Sequence, residues 1–232
     1  QQTAGLFSLQ WKALALPATK PAKPLFLLGD VPAALINALP PTLHIQHHLN
    51  IEQLAQSLTD ENNGNSAFDT ILFCQRQNTG SLIANAHQTT ADIMQQLQSW
   101  LADPRFAGSG LTVVTQGAVA TSMDENILHL SQAPIWGLVR SAQTEHPERK
   151  IRLLDMDTQL ASFSALPSAL SCDDNQLALR GGVLHHPAIA SYTPPAGSFH
   201  FEPTETVLLT GGTGTLGARI ARYLVSQHHC KS

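Results

Sequence analysis

The chain has 232 residues, a formal net charge of -4 and 13% charged residues, which is well below the roughly 25% of an average soluble domain. It contains no run of lysine or arginine, so it lacks the electrostatic footprint of a protein that binds nucleic acid or an acidic membrane surface. No apolar run approaches the ~18 residues of a membrane-spanning helix, and its three separated cysteines form neither a disulfide framework nor a zinc pattern. We therefore predict a cytoplasmic protein of one large or two modest domains.

Short apolar runs alternate with helical patterns along the first 193 residues. The predicted strands lie at 6–11, 24–30, 43–48, 68–75, 110–119 and 150–157, and the predicted helices at 31–40, 51–59, 91–103 and 133–147. Two further alternating runs within 175–192 meet at Arg180-Gly181-Gly182, which predicts a hairpin on the sheet edge. Apolar strands that alternate with helices are typical of a parallel sheet covered on both faces. We predict an α/β fold with a Rossmann-like, doubly wound parallel sheet.

A segment rich in proline, glycine and serine follows the hairpin at residues 193–198. Such residues interrupt regular structure and are typical of linkers. We place a boundary near residues 194–204, which divides the chain into a first domain over 1–203 and a short segment over 204–232.

The first strand-to-helix turn is Leu28-Gly29-Asp30-Val31-Pro32, and a doubly wound fold places ligands at such a turn. It contains a single glycine, and Asp30 brings a carboxylate to the helix N-terminus that a pyrophosphate would otherwise occupy. We predict that Asp30 caps the helix and that this turn binds no dinucleotide.

A second glycine turn follows the apolar run Val207–Leu209 and precedes a helical pattern. Gly212, Gly214 and Gly217 satisfy Gly-x-Gly-x-x-Gly, in which the glycines allow a tight turn, close approach to phosphate and close helix packing. A glycine-rich turn without a ligand is the alternative, whereas a P-loop would need a following Lys-Ser/Thr. The candidate cofactor-binding residues are Thr210, Gly211, Gly212, Thr213, Gly214, Thr215, Leu216 and Gly217.

The residue that reads the ribose of a dinucleotide is expected about 20 residues after the glycine loop. Ser232 comes before that position. The sequence therefore predicts only half of a cofactor site. A single strand and helix also bury little surface, so we expect Leu208, Leu209 and Ile220 to be exposed unless this unit docks on the first domain, pairs with another copy or belongs to a longer fold.

Five stretches together resemble the ketoreductase region of modular polyketide synthases, which is related to animal fatty acid synthase. They are LFSLQW, PIWGLVRSAQTEHPERKIRLLDMD, DNQLALRGGVLHHPAIA, the proline-rich linker and VLLTGGTGTLG. The resemblance covers nearly the whole chain. It implies that residues 1–203 form a structural subdomain, a truncated Rossmann-like fold that binds no cofactor. Residues 204–232 would be the first strand and helix of a catalytic short-chain-dehydrogenase subdomain.

The resemblance also implies the activity of the parent protein, the NADPH-dependent reduction of a β-keto group on an acyl chain tethered to acyl carrier protein. The family's catalytic Tyr, Ser and Lys would lie beyond Ser232, and neither Tyr192 nor Tyr223 matches the catalytic position. We therefore assign no catalytic residue and expect this chain alone to be inactive. The implied partners are the rest of the catalytic subdomain, an acyl carrier protein carrying phosphopantetheine-bound substrate, and neighbouring megasynthase domains.

Two other functions are compatible with these residues. The first is a pseudo-ketoreductase, a scaffold that organises neighbouring domains without catalysis. The second is a free-standing extended short-chain dehydrogenase, which the long preceding domain fits poorly.

Three other features are interpreted as structural. The histidine pairs at 47–48, 185–186 and 228–229 are not expected to bind metal, because adjacent residues point in different directions. Trp136 is expected to pack in the core or at a subdomain interface. Arg180 is expected to be solvated at the hairpin tip, with contact to a carrier protein as the alternative.

Overall fold

The computed structural model describes residues 5–19, 23–58, 67–74, 80–193 and 206–228. The chain forms two compact units, one over Phe7–Ala190 and the other made of Gln1–Leu6 and Ser191–Ser232. We call them the sheet domain and the terminal unit. The predicted boundary at 194–204 lies outside the described residues, so it stays a prediction.

The described residues contain fourteen regular helices and strands. In chain order they are β1 (Leu6–Leu14), β2 (Leu25–Leu28), α1 (Ala33–Ala38), β3 (Ile45–His48), α2 (Ile51–Ser57), β4 (Asp69–Phe73), α3 (Leu82–Ala102), β5 (Gly110–Gln116), α4 (Ala133–Glu145), β6 (Lys150–Met156), α5 (Leu160–Leu170), β7 (Gln176–Arg180), β8 (Val183–Tyr192) and α6 (Thr215–His228).

The strands form one eight-stranded sheet in the order β1-β8-β7-β6-β5-β4-β2-β3. Neighbours from β3 through β7 are parallel, whereas β7 and β8 form an antiparallel hairpin in which Arg180 lies opposite Val183. The predicted parallel sheet and hairpin are confirmed. The hairpin is not the sheet edge, however, because β1 lies outside β8. The sequence pattern of β8 does not show which strand from elsewhere in the chain will pair with its free edge.

The sheet has a hydrophobic core on each face, as a doubly wound fold requires. One core includes Trp100 and Phe106, whose rings stack with centroids 4.4 Å apart, and it receives α2, α3 and α4. The other core contains Phe163 and Leu166 of α5 and Leu35 of α1. The central strands β4 and β5 are buried almost throughout, which explains their continuous apolar sequence.

Two helices differ from the prediction. Helix α3 begins at Leu82 rather than at residue 91, because Ser81 caps its N-terminus by accepting a hydrogen bond from Ala84 N. Helix α5 has no counterpart in the predicted elements. Its sequence is apolar on most sides and contains Pro167, so it lacks the polar stripe by which an amphipathic helix is found.

No helix in the described part of the chain is both long and apolar enough to cross a membrane. Within the same residues, no group of three or more His, Cys, Asp or Glu side chains is placed to hold a metal ion.

Candidate nucleotide-binding loop and the carboxyl edge of the sheet

The candidate loop Thr210–Gly217 folds into a tight turn that leads directly into α6. Gly211 has a φ of 67°, in the left-handed region that favours glycine. Gly214 N donates to Gly211 O at 3.0 Å, and Ala218 N donates to Gly214 O at 2.9 Å. These bonds fold the loop back on itself at the point where the helix begins.

Gly217 holds the start of α6 against the loop. A Cβ atom at this position would lie 2.2 Å from Gly211 O and 2.7 Å from the Cα of Gly212. Both are backbone atoms, so no side-chain rotation relieves the clash. Gly217 is also the buried residue of α6. This is the close helix packing for which the third glycine of Gly-x-Gly-x-x-Gly is required.

The residues before the loop do not form the predicted strand. Residues 206–209 lie in neither a strand nor a helix, and a β-strand is defined by hydrogen bonds to a neighbour. Leu208 is 88% exposed and Ile220 is 39% exposed, as expected for an isolated strand and helix, whereas Leu209 is half-buried.

The first turn, after β2, has a different geometry. Gly29 N donates to His48 O at 3.2 Å and Val31 N donates to Gly29 O at 3.1 Å, while Pro32 has no N–H. A ring nitrogen of His47 lies 2.8 Å from Gly29 O. The backbone donors that would bind a phosphate are therefore largely engaged within the protein. The lack of a dinucleotide at this turn stays a prediction.

The prediction that Asp30 caps α1 is wrong. The helix begins at Ala33, its cap position is Pro32, and no side chain makes a cap hydrogen bond there. Asp30 lies two residues too early in the chain and is exposed. Its carboxylate nevertheless stays at this turn, where it disfavours an anion.

Arg180 is the largest departure from the sequence prediction. Its side chain is 15% exposed, not solvated, and it donates through Nη2 to Asp155 Oδ2 at 2.6 Å. Asp155 is completely buried at the end of β6. Arg180 also pairs through Nε with Glu125 and donates to Val119 O at 2.8 Å. One guanidinium therefore joins β6, β7 and the loop that follows β5.

The charges of this cluster are stabilised by one another. Burial lowers the pKa of Arg180, but the Asp155 and Glu125 carboxylates outweigh burial and hold that pKa above its ordinary value. Burial raises the pKa of Glu125, but hydrogen bonds from Thr121 and Arg180 outweigh it, and the pKa lies below its ordinary value. Arg180 and Glu125 are therefore both ionised near neutral pH.

Asp155 has further donors on its other oxygen. Thr115 Oγ1 donates to Asp155 Oδ1 at 2.5 Å and Ala118 N donates to the same atom at 2.9 Å. Trp136 Nε1 in turn donates to Thr115 Oγ1 at 3.0 Å. Trp136 is 5% exposed and packs edge-on against Trp11, so its predicted place in the core is confirmed. Because both carboxylate oxygens of Asp155 accept hydrogen bonds from within the protein, we interpret Asp155 as a structural residue.

Comparison with known proteins agrees with this architecture. Residues 9–189 match the family described as "Polyketide synthase extender module SpnB, Rossmann fold domain". The chain is 38% identical over 162 residues to polyketide synthase GfsE of Streptomyces halstedii, an alignment that covers 67% of this chain and 4% of the synthase. It is 40% identical over 153 residues to the spectinabilin polyketide synthase system protein NorA' of Streptomyces orinoci, covering 62% of this chain and 4% of that protein.

Solved structures show the same fold. PlmKR1, the ketoreductase from the first module of phoslactomycin biosynthesis in Streptomyces sp. HK803, superimposes with a TM-score of 0.61 at 27% identity, over 96% of this chain and 46% of that one. A C2-type ketoreductase from a modular polyketide synthase gives a TM-score of 0.71 at 22% identity, over 96% and 51% of the two chains. This chain thus spans about half of each solved ketoreductase. It belongs to the family of Rossmann fold domains of polyketide synthase extender modules.

Proposed function

We propose that this chain is the structural subdomain of a polyketide synthase β-ketoreductase, joined to the first strand and helix of its NADPH-binding subdomain. The family match over residues 9–189 supports the first part. The second part depends on one observation, the packing of Gly217 against the backbone of Gly211, because that contact leaves room for glycine alone. The length of the solved ketoreductases, about twice that of this chain, is consistent with a missing catalytic half.

The residues of the loop fit the phosphates of a dinucleotide. The first N–H groups of a helix have no intrahelical partner, so the start of α6 offers donors to an anion. No acidic residue lies in the first turn of α6. An added Cβ at Gly211 would meet nothing within 4 Å, so the outer side of the turn is open to a ligand.

The parent enzyme would reduce the β-keto group of an acyl chain held on acyl carrier protein, in the cytoplasm. NADPH, when bound, would supply the hydride. The role of this chain's own residues is to hold the pyrophosphate with Thr210–Gly217 and to support the catalytic subdomain with a rigid sheet domain. Neighbouring synthase domains would be its other partners.

The test compares this chain with a polypeptide that also carries the rest of the catalytic subdomain. Oxidation of NADPH is followed by absorbance with a β-keto thioester as substrate. We expect no turnover by residues 1–232 and turnover by the longer polypeptide. Turnover by residues 1–232 alone would show that our placement of the catalytic residues is wrong. Tight NADPH binding by the longer polypeptide without reduction of any thioester would favour the pseudo-ketoreductase.

A further inference from the structure

The sheet domain contains a crevice of about 290 Å³ at the carboxyl ends of its parallel strands. Its described lining residues lie at the carboxyl ends of β2, β4, β5 and β6, at the start of α1 and in α5. The lining residues used below are Asp30, Pro32, Ala34, Phe73, Thr158 and Phe163. All of them belong to the sheet domain, so the inference does not depend on the loop Thr210–Gly217.

The position of the crevice follows from the strand order. Strand β2 lies between β3 and β4, so the connections from β2 and from β3 leave the sheet in opposite directions. Doubly wound sheets bind their ligands at such a switch point, outside the carboxyl ends of the strands. The fold therefore presents a cavity at its customary ligand position, although the turn after β2 lacks a phosphate loop.

The charge of the crevice is the opposite of that of a phosphate site. Among the described residues, Asp30 is the one charged side chain that lines the crevice. None of the described ion pairs involves Asp30. Cys74 also borders the crevice, and burial raises the pKa of its thiol, so this group stays neutral. Of the described lining residues, a ligand therefore meets the Asp30 carboxylate as the one charged group.

The remaining walls are largely apolar. Phe73 and Phe163 are each 3% exposed and are fixed in the core on that face of the sheet, and Pro32 and Ala34 form the side next to α1. Thr158 and Gln116 add neutral polar groups to the lining. Apolar walls with a few placed polar groups are typical of small-molecule sites, and the volume is near the lower end of their size range.

We propose that this crevice binds a small cationic ligand, with an apolar body about the size of one aromatic ring and a protonated amine that donates to Asp30. The apolar body packs between Pro32, Phe73 and Phe163. Anions bind more weakly, because they would be repelled by the Asp30 carboxylate.

Three probes that share one ring separate charge from shape: benzylamine, benzyl alcohol and benzoate. Each is titrated into the ¹⁵N-labelled chain, and the amide signals of Ala34 and Thr158 are followed by NMR. We expect saturable shifts with benzylamine, weaker binding of benzyl alcohol and no saturable shift with benzoate. Equal shifts with benzoate, or no saturation with benzylamine, would overturn the proposal.

Two substitutions with matched controls locate the site. Asp30→Asn keeps the shape and removes the charge, and it should weaken benzylamine binding about tenfold, because hydrogen bonds to charged groups are the stronger ones. Ala34→Leu should fill the crevice and abolish the shift of Thr158, whereas Ala33→Leu, one residue earlier in the same helix and outside the described lining, should leave that shift unchanged. Unaltered binding in both Asp30→Asn and Ala34→Leu would refute the assignment.

Discussion

The turn after β2 and the loop before α6 both place glycine between an apolar segment and a helix, yet the two glycines make different contacts. A Cβ at Gly29 would lie 2.8 Å from Phe73 O, on the neighbouring strand β4. A Cβ at Gly217 would lie 2.2 Å from Gly211 O, within the loop itself. The first glycine lets two strands approach each other, and the second lets a helix approach its own turn. We propose that only the second turn binds a phosphate.

The two regions also treat charge differently. At the carboxyl edge of the sheet, the buried Asp155 is neutralised by Arg180, which also binds Glu125. The loop before α6 carries no acidic residue in the first helical turn. The buried charges of the cluster around Arg180 are therefore paired with one another, whereas the described start of α6 carries no carboxylate.

The largest expected effect is on the ionic cluster of the sheet domain. Arg180→Met should lower the free energy of unfolding of the sheet domain by about 3–5 kcal/mol, because the substitution leaves Asp155 buried without a countercharge. All three tryptophans, Trp11, Trp100 and Trp136, lie in the sheet domain, so urea unfolding followed by tryptophan fluorescence reports on it.

Arg222 on α6 is exposed, so Arg222→Met is the matched control and should leave the unfolding midpoint unchanged. Equal free energies of unfolding for the Arg180→Met and unsubstituted chains would mean that the ionic cluster does not stabilise the sheet domain.

Gly217→Ala tests the loop alone. In the complete reductase, NADPH affinity should fall roughly 100-fold, since the added methyl group forces the helix away from the turn and displaces the donors. Fluorescence titration with NADPH measures the affinity, and the tryptophan unfolding curve of the sheet domain should not change. Gly137→Ala in α4 serves as the control, because its Cβ would meet nothing within 4 Å. Undiminished NADPH affinity would remove Gly217 from the proposed site.

Gly29→Ala makes the reverse comparison. The φ of 88° and the contact with Phe73 O predict a loss of about 1–3 kcal/mol in the stability of the sheet domain. NADPH affinity of the complete reductase should be unaffected. Gly108→Ala, which meets nothing within 4 Å, should be tolerated. A selective loss of NADPH binding in Gly29→Ala would reverse our assignment of the two turns.

The smallest expected effect is a loss of stability at acidic pH. The pKa of Glu125 is lower in the folded protein than its ordinary value of 4.5, so its contribution to stability is complete above pH 4.5 and disappears as the pH falls through the lowered folded pKa. The stability difference between the unsubstituted chain and Glu125→Gln should shrink over that range. Parallel curves from pH 7 to pH 3 would contradict the role assigned to this carboxylate.

Much of the sheet domain is predictable, because its strands are short apolar runs that local sequence displays. The exceptions are informative. Helix α5 was missed because a helix buried on most sides has no polar stripe, and its Ser162, Phe163 and Leu166 are all buried. The apolar segment before α6 is predicted as a strand, but a local apolar pattern does not provide the neighbouring strand that a ladder of hydrogen bonds needs.

The candidate loop was predictable from glycine spacing, but the cluster around Arg180 was not. Its two acidic partners lie 25 and 55 residues earlier in the chain. The turn pattern at Arg180-Gly181-Gly182 predicts the hairpin of the backbone, but it does not predict the direction in which the arginine side chain points. The pairing of β6 with β7 brings Asp155 opposite Ala178, two residues before Arg180. From that position the Arg180 guanidinium reaches the Asp155 carboxylate.

The pairing of β1 with β8 has a further consequence. The first and last strands of the sheet are neighbours, so the polypeptide enters and leaves this fold along the same border. A fold with adjoining ends can be inserted into a longer protein with little separation of the flanking segments.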